Sequence, residues 1–364
     1  MSQYTFLLVW LAAMYLISHQ TNVLQKERVC GITAYRATFF FAVLVFVPII
    51  WMAAHRGNFA DTMMYNKVFR ELPTSFSGLL AYMPTVKKDQ GFTFLSGLLK
   101  IIFGNSNILY LAIIASIQGI CLISVFRKYS GNYLMSIFLF VASTDYISWM
   151  FNGIRQFTAV TLIFAATTLI LYKKWFSAVL VILLASTMHQ SALLMIPVIF
   201  IVQGKAWNFK TVFFLSIALI AVMFADQFTT ILDDMMQETQ YSNMVTDWEE
   251  WGDDGTSFLR VAVYSIPTVL SLIGLKYIRH ANDPVINLCV NMSIVSTGLY
   301  IISMFTSGIF MGRLPIYASL YNYILLPWEL QNIFAKNSRK LLTLGMVCAY
   351  LFFYIYQIKF AWGL

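Results

Sequence analysis

Residues 175–203 read WFSAVLVILLASTMHQSALLMIPVIFIVQ, an apolar run broken once, at His189-Gln190-Ser191. As a single helix it would be about 44 Å long at 1.5 Å per residue, against a membrane core of about 30 Å. As two spans, 175–188 and 190–203, it is a hairpin turning at His189. Charge decides between them. With the hairpin, one side of the membrane collects Lys26, Arg28, Arg36, Arg127, Lys128, Lys173, Lys174, Lys205, Lys210, Lys276, Arg279, Lys336, Arg339 and Lys340, against only Glu27, Asp283 and Glu329. The positive-inside rule makes that side cytoplasmic, whereas one long helix scatters the basic pairs to both faces.

Working outward, the 364-residue chain is 59% hydrophobic and only 11% charged, with a mean hydropathy of +0.72. So much apolar surface cannot be hidden in one water-soluble core. The expectation is an all-α, polytopic transmembrane helix bundle forming one integral membrane domain over 1–364. About twelve spans are expected, at 4–18, 33–53, 106–126, 133–148, 155–172, 175–188, 190–203, 211–226, 258–275, 285–305, 314–334 and 341–358. The first lacks the basic flank of a cleaved signal peptide and reads as a retained span. Both termini then fall outside, with two long external loops, 54–92 and 227–257. The segment Gly91 to Phe103, apolar but carrying Lys100, reads as an interfacial or re-entrant helix.

The net charge of +8 sits in pairs at helix ends and forms no stripe interleaved with aromatics, which argues against nucleic acid. The four cysteines are far apart with no metal-ligand spacing. No HExxH, P-loop or GxSxG occurs, which argues against a metalloprotease, an NTPase and an α/β-hydrolase.

Four polar places stand at external span ends. In HRGNFADTMMY, residues 55–65, Arg56 offers a planar fork for phosphate oxygens beside Gly57, with Asp61 close in sequence; the plainer reading is an interface arginine paired with Asp61. Asn152-Gly153 signals a turn, after which Arg155-Gln156 opens a helix whose N-terminus favours an anion; snorkelling of Arg155 is the alternative. His189 is suited to proton exchange near neutrality, or is a hydrogen-bonded structural residue. Arg313, followed by Pro315 and Tyr317, is a fourth basic group or an interface anchor. The external loop 227–257 adds Asp233-Asp234 and Asp253-Asp254 with Trp248 and Trp251, read as a mobile lid rather than a metal site because no histidine or regular ligand spacing accompanies them.

At these residues the chain resembles the EpsG family of bacterial exopolysaccharide and O-antigen polymerases, the Wzy-like proteins. The matching pieces are Arg56-Gly57 with Asp61 to Tyr65, Asp89-Gln90-Gly91-Phe92, Phe151 to Gln156 with Ala159, Lys173, His189 to Leu193, and Arg313 with Tyr317, spread over roughly 50–330. The first block departs from the Gly-Thr-Asp-Tyr common in the family, because Asn58, Phe59 and Ala60 separate Gly57 from Asp61. The resemblance implies a GT-C-like membrane glycosyltransferase without cofactor. It would join undecaprenyl-diphosphate-linked oligosaccharide units, donor and acceptor, into exopolysaccharide, capsule or O-antigen at the outer face of the cytoplasmic membrane. Membrane lipid surrounds it, and a chain-length regulator and a flippase of the same pathway are its expected partners. Arg56, Arg155 and Arg313 would hold diphosphates, and His189 or Asp61 would take the acceptor proton. Asn58, Tyr65, Asn152, Gln156, Tyr317, Trp248 and Trp251 would bind substrate. The rival reading is a flippase for the same lipid-linked sugar, which needs cations along a path through the membrane; here Arg and Lys lie almost entirely at span ends.

Overall fold

The computed structural model describes residues 3–29, 32–57, 60–224 and 255–361, most of them helical. They form two units, Met1–Leu194 with Ala335–Leu364, and Met195–Phe334.

In the first unit, α1 (Gln3–Gln20) leads into an antiparallel hairpin of β1 (Leu24–Val29) and β2 (Ile32–Ala37), with Leu24 opposite Ala37. Arg36 Nη1 donates to Glu27 Oε2 across it at 2.9 Å. This corrects the span expected over 33–53. The ionic pair belongs outside an apolar core, and α2 (Phe39–Ala54) starts only where the Thr38 hydroxyl accepts from the Phe41 N–H. The expected loop 54–92 is itself structured: α3 (Thr62–Glu71) and α4 (Phe76–Tyr82) precede α5 (Gln90–Phe103). The lysine in α5 has a use, since Lys100 is 2% exposed and its ammonium donates to the carbonyls of Phe69, at 3.1 Å, and Arg70. It thereby satisfies orphan carbonyls at the C-terminus of α3.

The long helix α6 (Asn107–Tyr129) packs on α2, whose Ala42, Val45, Phe46, Ile49 and Ala53 recur at helical spacing and are buried. Then follow α7 (Tyr133–Ala142), α8 (Asp145–Phe151), α9 (Ile154–Ala165), α10 (Thr167–Leu171) and α11 (Trp175–Met188). The spans expected at 133–148 and 155–172 are each broken, the first at Ser143-Thr144, where Thr144 has φ 61°, the second at Ala166. Gln118 of α6, fully buried, ties down the first turn of α9 by donating to Ile154 O at 3.2 Å and to Thr158 Oγ1 at 2.9 Å. The break read at His189 is present: α11 ends at Met188, His189 is extended, and Gln190–Leu194 forms a 3₁₀ turn packed on α11 and α9.

The second unit contains α12 (Met195–Ile201), α13 (Phe209–Met223), α14 (Phe258–Ile273), α15 (Leu275–Ala281), α16 (Pro284–Met304), α17 (Ile316–Ser319) and α18 (Asn322–Asn332). Its centre is α16, begun by Pro284 with the Asp283 carboxylate accepting from the Val285 N–H at 2.8 Å, and packed by α13, α14, α17 and α18. The run expected at 258–275 bends by 72° into α15, and that at 314–334 is divided between α17 and α18. Finally α19 (Lys336–Tyr356) returns to the first unit, where Tyr354 Oη donates to Tyr4 O at 2.7 Å.

Among the described residues, three helices are long and apolar enough to cross a membrane, α6, α16 and α19, and a fourth is available if the bent α14–α15 pair is one span. Seven further apolar helices of 10–17 residues are too short to cross an average core upright.

Candidate functional site

The candidate site lies in the first unit, where the end of α2, the start of α3, the turn before α5, the α8–α9 junction and the turn after α11 converge. The junction is tight. At Gly153 any Cβ would stand 2.5 Å from the Trp149 ring, so only glycine lets α9 start there. Arg155, in the first turn of α9, donates from Nη1 to Asp89 Oδ2 at 2.8 Å, and its guanidinium centre is 5.8 Å from the Tyr65 ring. One turn face further, Gln156 Nε2 donates to Ser191 Oγ at 3.1 Å, and Ser191 Oγ is 2.7 Å from His189 Nδ1.

Arg56 is a second guanidinium, more deeply set. Its Nε donates to Thr62 Oγ1 at 2.9 Å, and its Nη1 donates to the carbonyls of Ala53 at 3.2 Å and Met150 at 3.1 Å. Its Nη2 is buried and makes no hydrogen bond. Burial pulls the guanidinium down to about 10, so it is still charged at neutral pH. Asp61 is the N-cap residue of α3, exposed, with its backbone N–H donating to Asn152 Oδ1 at 3.4 Å.

Asp89 completes the cluster. Its backbone is left-handed, with φ 52° and ψ 45°, and its side chain is 5% exposed against 38% for that of Arg155. Oδ2 is held by Arg155; Oδ1 is buried and makes no hydrogen bond. Burial pushes the carboxyl above its ordinary range, against the opposing pull of Arg155, Lys88 and the Gln190 N–H. Two residues on, Gly91 lets this turn lie against α11, where a Cβ would fall 2.0 Å from Thr187 Oγ1.

A model of the EpsG family matches residues 39–362. The chain belongs to the EpsG family. No curated protein and no solved structure matches it significantly.

In this EpsG-family chain, seven of the site residues expected from sequence come together in the first unit: Arg56, Asp61, Tyr65, Asn152, Arg155, Gln156 and His189. Arg313, in a 3₁₀ turn, and Tyr317, 1% exposed within α17, belong to the second unit. Tyr317 is a core residue there. Asn58, Trp248 and Trp251 lie outside the described residues, as do the carboxylates of the expected lid. Among the described residues no group of three or more His, Cys, Asp or Glu could hold a metal ion. Two members of the cluster had been given no role, Asp89 and Ser191. The signal for Asp89 was its place two residues before Gly91, an acid directly after Lys87-Lys88.

Proposed function

We propose that this protein is a polysaccharide polymerase that joins undecaprenyl-diphosphate-linked oligosaccharide repeat units at the outer face of the bacterial cytoplasmic membrane, on a GT-C-like scaffold. The observation that carries the reading is that two guanidiniums, Arg155 and the deeper Arg56 with its buried, unused Nη2, both act on Tyr110 in the first unit of a chain of the EpsG family. Family membership supports polymerase-like chemistry, and the two cations suit a leaving group that departs with negative charge.

In the reaction, the acceptor hydroxyl attacks the anomeric carbon of the donor glycan and the lipid diphosphate leaves. The diphosphate bond supplies the energy, so no nucleotide is needed. Arg56 and Arg155 offer planar forks to phosphate oxygens. Tyr65 sets its ring under the Arg155 guanidinium, 5.8 Å from ring centroid to guanidinium carbon. The acceptor's proton goes to a base in the cluster; His189 and Asp61 are the two that the sequence offers, and Asp89 is a third.

The test is mass analysis of lipid-linked glycans from cells with and without the gene. A polymerase leaves single repeat units stalled at the outer face when removed. Single units confined to the inner face favour a flippase, and unchanged chain lengths overturn both.

A further inference from the structure

The Asp89–Arg155 pair is incompletely used as a structural device. A carboxylate kept only for stability would be expected to satisfy both oxygens, because leaving a buried acceptor unmatched costs about 1–3 kcal/mol. Here Oδ2 is bound at 2.8 Å and Oδ1, equally inaccessible to solvent, has no donor. The residue is nonetheless firmly held. Its left-handed backbone and the close approach of Gly91 to Thr187 fix it against the end of α11 that leads into His189. A preorganised carboxylate with one buried oxygen left unmatched, in a site that must accept a proton, is arranged as a base.

The same pair bears on Arg155. While Asp89 is ionised, the guanidinium is neutralised by a partner 2.8 Å away and is a weak clamp for a second anion. Only when Asp89 is protonated does the full charge of Arg155 become available.

We infer that Asp89 is the base for the acceptor hydroxyl, and that its protonation transfers Arg155 from the carboxylate to the departing diphosphate. The inference rests on the polymerase reading. The hydroxyl proton passes to Asp89 Oδ1, and the oxygen's electron pair forms the new bond to the donor's anomeric carbon. The bond from that carbon to the diphosphate oxygen breaks, and its electron pair leaves with the diphosphate. As negative charge develops on the leaving group, Arg155 is released toward it, beside Arg56. An interaction that strengthens only as the transition state is approached lowers the barrier without tightening the ground state. Among the described residues, the groups that act on the Asp89 carboxyl are Arg155 from α9, Lys88 from its own loop and the Gln190 N–H from the turn after α11.

The experiment uses the full-length protein in proteoliposomes with a synthetic lipid-linked repeat unit, reading elongation rate and, separately, binding of undecaprenyl diphosphate. Asp89→Asn should slow elongation by about 10²-fold or more while binding undecaprenyl diphosphate at least as tightly as wild type. Asp89→Asn elongating within about threefold of wild type, or losing diphosphate affinity, overturns the role. If Asp89→Asn does not accumulate, Asp89→Glu decides: a displaced base moves the acid limb of the pH–rate profile, and an unmoved limb overturns the inference. Wild type that binds the lipid and never elongates brings down the polymerase reading itself; active wild type with an equally active Asp89→Asn brings down Asp89 alone.

Discussion

Lys100 on α5 donates from its buried ammonium to the main-chain carbonyl of Phe69 at 3.1 Å, and so a lysine in an apolar helix holds the end of the helix that carries Tyr65. The Phe69 ring stacks on Tyr110 with centroids 4.2 Å apart, which fixes the same end from the α6 side.

Lys100→Met should therefore destabilise the fold rather than the chemistry. Two main-chain carbonyls, that of Phe69 buried and that of Arg70 partly so, lose a charged donor, and hydrogen bonds of that kind contribute about 1.5–3 kcal/mol. The expected outcome is a lower midpoint of thermal unfolding in detergent and lower abundance, with the turnover of the surviving folded fraction little changed. A methionine variant as stable as wild type would show the contact to be dispensable.

The contrast between what the sequence disclosed and what it concealed follows from range. The break at His189 was legible because hydropathy and charge asymmetry are local and additive. The hairpin at 24–37 was not, because a hydropathy window that begins in β2 runs straight on into α2 and hides the start set by Thr38. Arg155 and Arg56 stood out as cations at apolar boundaries. Their partners could not, since Asp89 is 66 positions from Arg155, and Met150, whose carbonyl Arg56 reaches, is 94 positions away. Pairings of that length are decided by packing.

Arg155→Lys tests the fork. It keeps the charge and loses the planar arrangement that engages Asp89 and Tyr65 at once. Elongation should fall about 10²- to 10³-fold, the usual loss for one preorganised electrostatic contact, at near-normal protein level. Glycan chain length measured beside membrane-protein abundance reads both, and normal chains at normal abundance would remove Arg155 from the mechanism.

His189→Ala separates two bases. With Asp89 taking the proton, His189 serves the polar chain that runs through Ser191 to Gln156, and losing one such hydrogen bond costs about 1 kcal/mol. A loss of about fivefold in elongation is then expected, well short of that for Asp89→Asn. Chain growth abolished by His189→Ala at normal abundance would return the base to His189.

Topology is checked in a cysteine-free background with an impermeant thiol reagent on intact cells or spheroplasts. Lys87, exposed in the loop before α5, and Lys336, exposed at the start of α19, fall on opposite sides by the positive-inside rule. Lys87→Cys should react from outside and Lys336→Cys only after permeabilisation. Reaction of both from outside, or of Lys336→Cys alone, overturns the orientation.

The last prediction concerns pH, and its sign comes from the burial of Asp89. Because burial raises the folded-state carboxyl above its ordinary range, despite Arg155, the folded protein holds this proton more tightly than the unfolded chain does. Its contribution to stability is therefore fully present below the ordinary carboxyl range and is lost as pH rises through the raised folded value. Asp89→Asn, neutral at every pH, should consequently be no less stable than wild type at pH 7, the pattern of a site whose ionised form is kept for activity at the expense of the fold. The activity runs the other way: elongation by wild type should fall as pH drops through the same raised value, because the base becomes protonated. Thermal unfolding of both proteins at pH 5 and pH 7, beside a pH–rate profile, measures the two together. An Asp89→Asn protein markedly less stable than wild type at pH 7 would mean that the ion pair with Arg155 outweighs its burial, and that Asp89 is there to hold the fold.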